Sequence, residues 1–182
     1  GPLLAAQALK IAQKNEKPIV GLFNFDPDFL LTSPSAKRLP LALSVIPGQI
    51  QADLETMAQM FKNRELALLV DDVLLGQFKG LKQQLLKVAK KQGFTATIRP
   101  IRKTVQETLS SLGKKVKAVY LTPGLRMPAS QRKQLIGKLN EKGIFVFTGA
   151  GAVDVQNGAL AGQLPPMNER LARHAALNAM RF

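Results

Sequence analysis

Pairs of acidic residues follow two short apolar runs of this chain. Asp71 and Asp72 follow the apolar residues 66–70, and Asp26 and Asp28 come just after another such run. Paired acids can bind Ca²⁺ or Mg²⁺, act in acid–base catalysis, cap the next helix or receive the amine of a ligand. Neighbours in sequence usually point apart, and no further metal ligands accompany these pairs. We therefore favour an amine ligand slightly over a metal ion, with capping as the structural alternative.

The other reactive residues argue against an enzyme. The chain has no cysteine and a single histidine, His174, which lies in a predicted helix beside Arg170 and Arg173. A lone helical histidine is more often structural than catalytic. The sequence contains neither the serine elbow of the α/β hydrolases nor a Walker-type phosphate loop. We therefore predict no catalytic residue and no resident cofactor or metal, and keep a small α/β enzyme only as a minor alternative.

A glycine-rich segment follows the apolar residues 144–147. Gly149 and Gly151 have the spacing that begins a dinucleotide-binding fingerprint, but Asp154 stands at the third glycine position. No clear helix or parallel strand is predicted after it. The sequence therefore favours a plain loop over residues 149–162.

The charge of the chain is strongly basic and unevenly distributed. Its net charge is +14 over 182 residues, and the whole excess lies from Phe61 onward. Such a field could attract an anionic ligand, nucleic acid or an anionic membrane. Most of the lysines fall at helix ends or on helix backs, where the helix dipole or solvent accounts for them. They are not interleaved with aromatic residues, so we do not expect nucleic acid as a partner.

Three stretches share one local pattern and predict the fold. In each, a basic or polar helix tail leads through a glycine into a short apolar run, at residues 90–98, 112–121 and 141–147. Glycine ends the helix, and the apolar run is typical of a buried strand. Repetition of this unit predicts an α/β protein whose parallel sheet is sandwiched by helices.

Further elements are predicted around these units. Helices are expected over residues 4–13, from Ile50 to Phe61, and with Phe78, Leu81, Leu85 and Val88 on one face. A capping box at Thr104–Glu107 starts another helix, Pro128 lies near the start of the next, and Asn168 caps a last one. Strands are expected at residues 18–23, 41–46, 66–70 and 94–98.

Hydrogen-bonding residues and an aromatic residue collect where these strands end. The carboxyl ends of parallel strands share one edge of a sheet, and ligands bind there. The candidate ligand-binding residues at this edge are Asn24, Phe25, Asp26, Asp71, Asp72, Thr122, Pro123, Thr148 and Gly149.

An ordered set of segments resembles the periplasmic solute-binding proteins of ABC transporters. Residues 116–123, Val-Lys-Ala-Val-Tyr-Leu-Thr-Pro, resemble the D-A-V-Y-L-T-P strand of that family. Residues 144–164 resemble its P-x-F-x and V-x-x-G-A-L-A segment, and residues 66–72 resemble its L-A-V-L-V-D-D strand. The resemblance is greatest to the branch with a type I periplasmic-binding fold.

The resemblance implies a non-enzymatic protein with two α/β lobes and a ligand between them. Residues 48–158 would form a complete second lobe, and residues 1–47 with 159–182 would form part of the first. The same nine residues would line the cleft and hold a small polar or amino acid-like solute. The implied location is the periplasm, and the implied partner is the membrane permease of the transporter.

The ends of the chain carry an expectation of their own. It begins Gly1-Pro2 and lacks the early strands of a first lobe, so a processed chain or a fragment is expected. An incomplete lobe exposes sheet edges that a second copy could cover, which predicts a homodimer. The alternative function is a ligand-sensing regulatory module of the same fold.

Overall fold

The chain divides into two units that are described separately. The computed structural model describes residues 19–22, 41–44, 48–77, 80–122, 127–162 and 176–177. One unit comprises residues 1–49 and 165–182, and the other comprises residues 50–164. Assigning these units to the two lobes of a solute-binding protein stays a prediction.

Two short strands are described in the first unit. Strand β1 (Ile19–Leu22) pairs in parallel with β2 (Leu41–Ser44), with Ile19 opposite Leu41. Both lie within apolar runs that the sequence assigns to strands. The predicted helix over residues 4–13 and the predicted cap at Asn168 lie outside the described residues.

The second unit alternates strands and helices. The first helix begins one residue before the unit. In chain order, the helices and strands are α1 (Gln49–Met60), β3 (Glu65–Asp71), α2 (Asp72–Gln77), α3 (Leu81–Lys91), β4 (Thr95–Ile101), α4 (Val105–Ser110), β5 (Ala118–Leu121), α5 (Ala129–Glu141), β6 (Phe145–Thr148), α6 (Ala152–Gln156) and β7 (Ala161–Gly162).

The five strands of this unit form one parallel sheet in the order β4-β3-β5-β6-β7. The predicted fold class, an α/β protein with a parallel sheet flanked by helices, is confirmed. From β3 the chain passes first to β4 on one side of β3 and then to β5 on its other side. The strand order therefore reverses between β3 and β5, and the carboxyl ends of these two strands form a switch point of the kind where doubly wound sheets bind ligands.

Helices cover the sheet on both faces, which explains why the inner strands β3 and β5 are almost entirely apolar and buried. On one face, Leu69 and Val119 pack in a core cluster with Leu135 and Leu139 of α5. The side chains of neighbouring residues alternate between the faces of a strand. Tyr120 accordingly lies on the other face, where its hydroxyl donates a hydrogen bond to the Asp53 carboxylate of α1 at 2.6 Å.

The predicted helix with Phe78, Leu81, Leu85 and Val88 on one face begins only at Leu81, and Phe78 lies outside the described residues. Two helices, α2 and α3, occupy this part of the chain. Gly80 has φ +92° immediately before Leu81, a conformation that interrupts a right-handed helix. Leu81 and Leu85 of α3 are buried as expected.

Two other predictions of local structure are corrected. Strand β4 runs on through Pro100 to Ile101 because it lies at the edge of the described sheet, where the missing N–H of proline is tolerated. Residues 149–162, predicted as a plain loop, contain the helix α6 and the strand β7, which pairs in parallel with β6.

Candidate functional site

The register of the sheet brings the predicted strand-end residues of the second unit to one edge. Leu69 of β3 lies opposite Leu121 of β5, and Leu121 lies opposite Thr148 of β6. Backbone hydrogen bonds continue one residue past the ends of β5 and β6. The Thr122 N–H donates to the Leu69 carbonyl at 3.1 Å, and the Gly149 N–H donates to the Leu121 carbonyl at 3.0 Å. Asp71, Thr122, Thr148 and Gly149 are therefore all at the carboxyl edge of the sheet.

A cavity of about 250 Å³ opens at this edge. It lies beside the switch point, at the carboxyl ends of β3 and β4. Its lining residues are Asp71, Asp72, Ile101, Arg102, Lys103 and Met127. Two carboxylates, two cations and two apolar side chains thus surround one small space.

The two acids of the cavity differ in their surroundings. Asp71 is only 2% exposed, and its Oδ1 accepts a hydrogen bond from the Val73 N–H at 3.0 Å. Asp72 is the first residue of α2 and is half-buried. One of the alternatives raised by the sequence, capping of the next helix, therefore applies to Asp71.

The two basic residues of the cavity come from the turn between β4 and α4. Arg102 and Lys103 are exposed at this turn. The turn is held because the Arg102 N–H donates to the Thr108 Oγ1 at 3.0 Å, while Thr104 caps α4 by accepting the Glu107 N–H. The capping box was predicted from the sequence. Arg102 and Lys103, the two cations before it, were not predicted as site residues and were counted only in the general basic charge.

The predicted threonines are buried, and their hydroxyls bond within the protein. Thr122 Oγ1 donates to the Leu69 carbonyl at 2.9 Å. Thr148 Oγ1 hydrogen-bonds to the Asp154 carboxylate and accepts the Ala150 N–H at 3.0 Å. In this arrangement both threonines hold the edge of the sheet together, and the side chains that line the cavity are others.

A buried ion pair lies behind the threonines. The Arg132 Nε donates to both carboxylate oxygens of Asp154, at 2.7 and 2.8 Å, and its Nη1 donates to the Thr122 carbonyl at 3.0 Å. Asp154 is 1% exposed and Arg132 8%. The pair joins α5 to α6 and fixes the segment after β6. Its only sign in the sequence is an acidic residue within a glycine-rich stretch.

The glycine-rich segment after β6 is shaped by this ion pair. Gly151 has φ +72° and lies directly before α6. Asp154, at the position of the third glycine in a dinucleotide fingerprint, accepts from Arg132 inside the protein. The prediction that no helix or parallel strand follows the glycines is wrong. Nevertheless α6 has only five residues, and a buried carboxylate at this position disfavours a phosphate.

The remaining predicted site residues cannot be placed. Asn24, Phe25, Asp26 and Pro123 lie outside the described residues.

In the described ranges no three His, Cys, Asp or Glu side chains group so as to hold a metal ion. No helix within the described part of the chain is both long and apolar enough to cross a membrane.

Comparisons with known proteins give distant likenesses of fold. No protein-family model matches the chain, and no curated protein matches it. A methionine gamma lyase from Micromonospora echinospora is similar with a TM-score of 0.42 and 10% identity, over 72% of this chain and 42% of the lyase. A cobalamin-binding protein from Desulfitobacterium hafniense has a TM-score of 0.39 and 16% identity, over 72% of this chain and 64% of that protein.

A third solved structure is also similar. It is the non-phosphorylated receiver domain of HemR from Leptospira biflexa, with a TM-score of 0.37 and 20% identity over 63% of this chain and 95% of that domain. The chain thus spans less than two thirds of the lyase and of the cobalamin-binding protein. Likenesses this distant concern the α/β fold and carry no argument about what the chain binds.

Proposed function

We propose that the protein is the solute-binding component of an ABC-type transport system and that residues 50–164 hold a small, amino acid-like solute at the carboxyl edge of their sheet. The observation that carries the proposal is the cavity beside the switch point, in which side chains of both charges line one space. The sequence resemblance to periplasmic solute-binding proteins supports the transport role.

The charges of the cavity suit a ligand that carries both signs. A ligand amine would lie towards Asp71 and Asp72, and a ligand carboxylate would lie towards Arg102 and Lys103. Charge-assisted hydrogen bonds of this kind are about twice as strong as neutral ones, so they orient a zwitterion in one direction. Met127 supplies an apolar wall for the ligand's side chain.

The size of the cavity limits the ligand. Drug-sized molecules occupy pockets of roughly 300–1,000 Å³, and the cavity here is about 250 Å³. A single amino acid or a comparably small polar molecule fits this volume better than a peptide or a nucleotide.

The proposal is tested by calorimetric titration of the whole chain with the free amino acids, one at a time. We expect at least one to bind, and we expect Asp72→Asn and Arg102→Gln each to weaken binding by about tenfold or more, as loss of a charge-assisted hydrogen bond does. Both side chains lie at least partly in solvent, so the variants should fold normally.

Matched controls separate the site from the general charge of the protein. Glu55→Gln and Lys133→Gln change exposed residues on α1 and α5 by the same chemistry. We expect neither to alter the affinity. The proposed site is refuted if no amino acid binds, or if the control variants weaken binding as much as the cavity variants.

A further inference from the structure

The amino edge of the sheet, opposite the candidate site, is strongly basic. The parallel strands all begin here, and the helices α1, α3 and α5 end here. The Arg64 carbonyl accepts the Thr95 N–H, and the Lys117 carbonyl accepts the Phe145 N–H, so the segments before the strands are in contact. The basic residues of these segments and helix ends are Lys62, Arg64, Lys90, Lys91, Lys114, Lys115, Lys117, Lys138 and Lys142.

Helix dipoles do not neutralise this charge. Each of the three helix carboxyl ends contributes about half a negative elementary charge. Among the same segments, the acidic side chains are Glu65 and Glu141, and the latter already pairs with Lys138 at 2.7 Å. Nine basic side chains against two acidic ones leave a large positive surplus at this edge.

An apolar groove lies within the basic edge. It has a volume of about 390 Å³, and Met60, Phe61, Phe145 and Leu160 are among its lining residues. The Phe61 and Phe145 rings contact each other with centroids 5.2 Å apart. Large parts of its apolar side chains face solvent, since Phe145 is 48% exposed and Leu160 is 51% exposed.

Lysines border the groove directly. Lys62 and Lys117 belong to its lining, and both are exposed. A ligand that enters the groove therefore meets apolar side chains in its centre and ammonium groups at its border. This is the arrangement of an interface with an apolar centre and a polar rim.

We propose that this basic groove is a docking surface for an acidic segment of a partner protein that inserts one large apolar side chain. The proposal concerns the edge opposite the cavity and does not depend on the proposed transport function. The charge of the surface calls for an acidic partner, and its concave shape accepts a protruding side chain.

The shape of the groove disfavours the other polyanions. A bilayer surface is bound by apolar side chains that protrude into the lipid, whereas Phe61 and Phe145 form the walls of a depression. Single-stranded nucleic acid stacks its bases on exposed aromatic faces. Here the two rings contact each other at an interplanar angle of 37°, so they do not form one flat platform.

The test is fluorescence anisotropy with the full chain and a labelled peptide of glutamates around a central leucine–phenylalanine pair. We expect this peptide to bind about tenfold more tightly than an all-glutamate peptide of equal length, the factor that burial of one apolar side chain supplies. We also expect the affinity to fall when salt is raised from about 0.05 M to 0.3 M, since exposed charges are screened.

Variants locate the binding on the surface. Phe145→Ser should remove the preference for the leucine–phenylalanine peptide, and the double variant Lys62→Glu with Lys117→Glu should weaken both peptides. Val153→Ser is the matched control, because Val153 is 62% exposed on α6 and away from the groove. Circular dichroism shows whether each variant is folded, and Leu160→Ser replaces Phe145→Ser if the latter is not.

Several results would overturn the proposal. They are equal affinity for the two peptides, unchanged binding by both Phe145→Ser and Leu160→Ser, and a loss in Val153→Ser as large as theirs. Tighter binding to anionic phospholipid vesicles or to single-stranded DNA than to the leucine–phenylalanine peptide would assign the surface to those partners instead.

Discussion

The buried ion pair between Arg132 and Asp154 should dominate the stability of the second unit. We expect Asp154→Leu to cost about 3–5 kcal/mol in the free energy of unfolding, because it leaves a buried guanidinium without its carboxylate. Arg132 keeps only its bonds to the Thr122 carbonyl, at 3.0 Å, and to the Thr148 hydroxyl, at 3.4 Å. A typical domain is stable by about 5–15 kcal/mol, so this single change removes a large part of it.

The paired replacement should behave differently from the single ones. Arg132→Met with Asp154→Leu removes both charges and fills the space with apolar groups. Replacing a whole buried pair in this way is often neutral or even stabilising by about 1–4 kcal/mol. We therefore expect the double variant to be more stable than either single variant, although Thr148 then loses its carboxylate partner.

The assay is urea denaturation followed by far-ultraviolet circular dichroism, for the wild type, both single variants and the double variant. The exposed pair of Lys138 and Glu141 is the internal control, with side chains 47% and 63% exposed. Breaking it should cost less than about 1 kcal/mol. The ion pair would not have the expected role if Arg132→Met and Asp154→Leu cost no more than this control, or if their costs simply add in the double variant.

Two further predictions concern the core and the glycines. Burial first, and then the Asp53 carboxylate, raise the pKa of Tyr120 well above its usual value; the folded state then keeps a proton that the unfolded chain releases. Stability should be full below about pH 10 and fall above it by up to about 1.4 kcal/mol per pH unit, and urea titrations should show a smaller decline in Tyr120→Phe. Equal declines would contradict this. Gly162→Ala should destabilise by about 1–3 kcal/mol, because its Cβ would lie 2.7 Å from Thr148 Cγ2 and 2.8 Å from the Thr148 carbonyl. In Gly137→Ala on α5 the added Cβ meets nothing within 4 Å, so this variant should be more stable by up to about 1 kcal/mol. Thermal melts of both variants measure these changes, and a rise in the melting temperature of Gly162→Ala would contradict the expected clash.

The pattern of the sequence was sufficient to predict the parallel sheet. Apolar runs after glycine-terminated helices, such as residues 144–147 after Gly143, contain the local information that sets strand and helix. The Gly143 φ of +66° agrees with the predicted helix end. The order of the strands, and hence the switch point between β3 and β5, depends on contacts between distant segments and was not predicted.

The candidate site was predictable only in part. Asp71 and Asp72 were found because they follow a strand directly. Arg102 and Lys103 were missed because β4 was expected to stop at Ile98, so that these residues were not at a strand end. The pairing of Asp154 with Arg132 was missed because the two residues are 22 positions apart along the chain, beyond the reach of any local pattern.

A map of the backbone amide chemical shifts that change on adding the bound amino acid locates the solute site directly. We expect the largest changes at Asp71, Asp72, Arg102 and Lys103, with little change at the amino edge around Phe145. Largest changes at Phe145 and Lys117, or none at the four cavity residues at saturation, would contradict a solute site at the carboxyl edge.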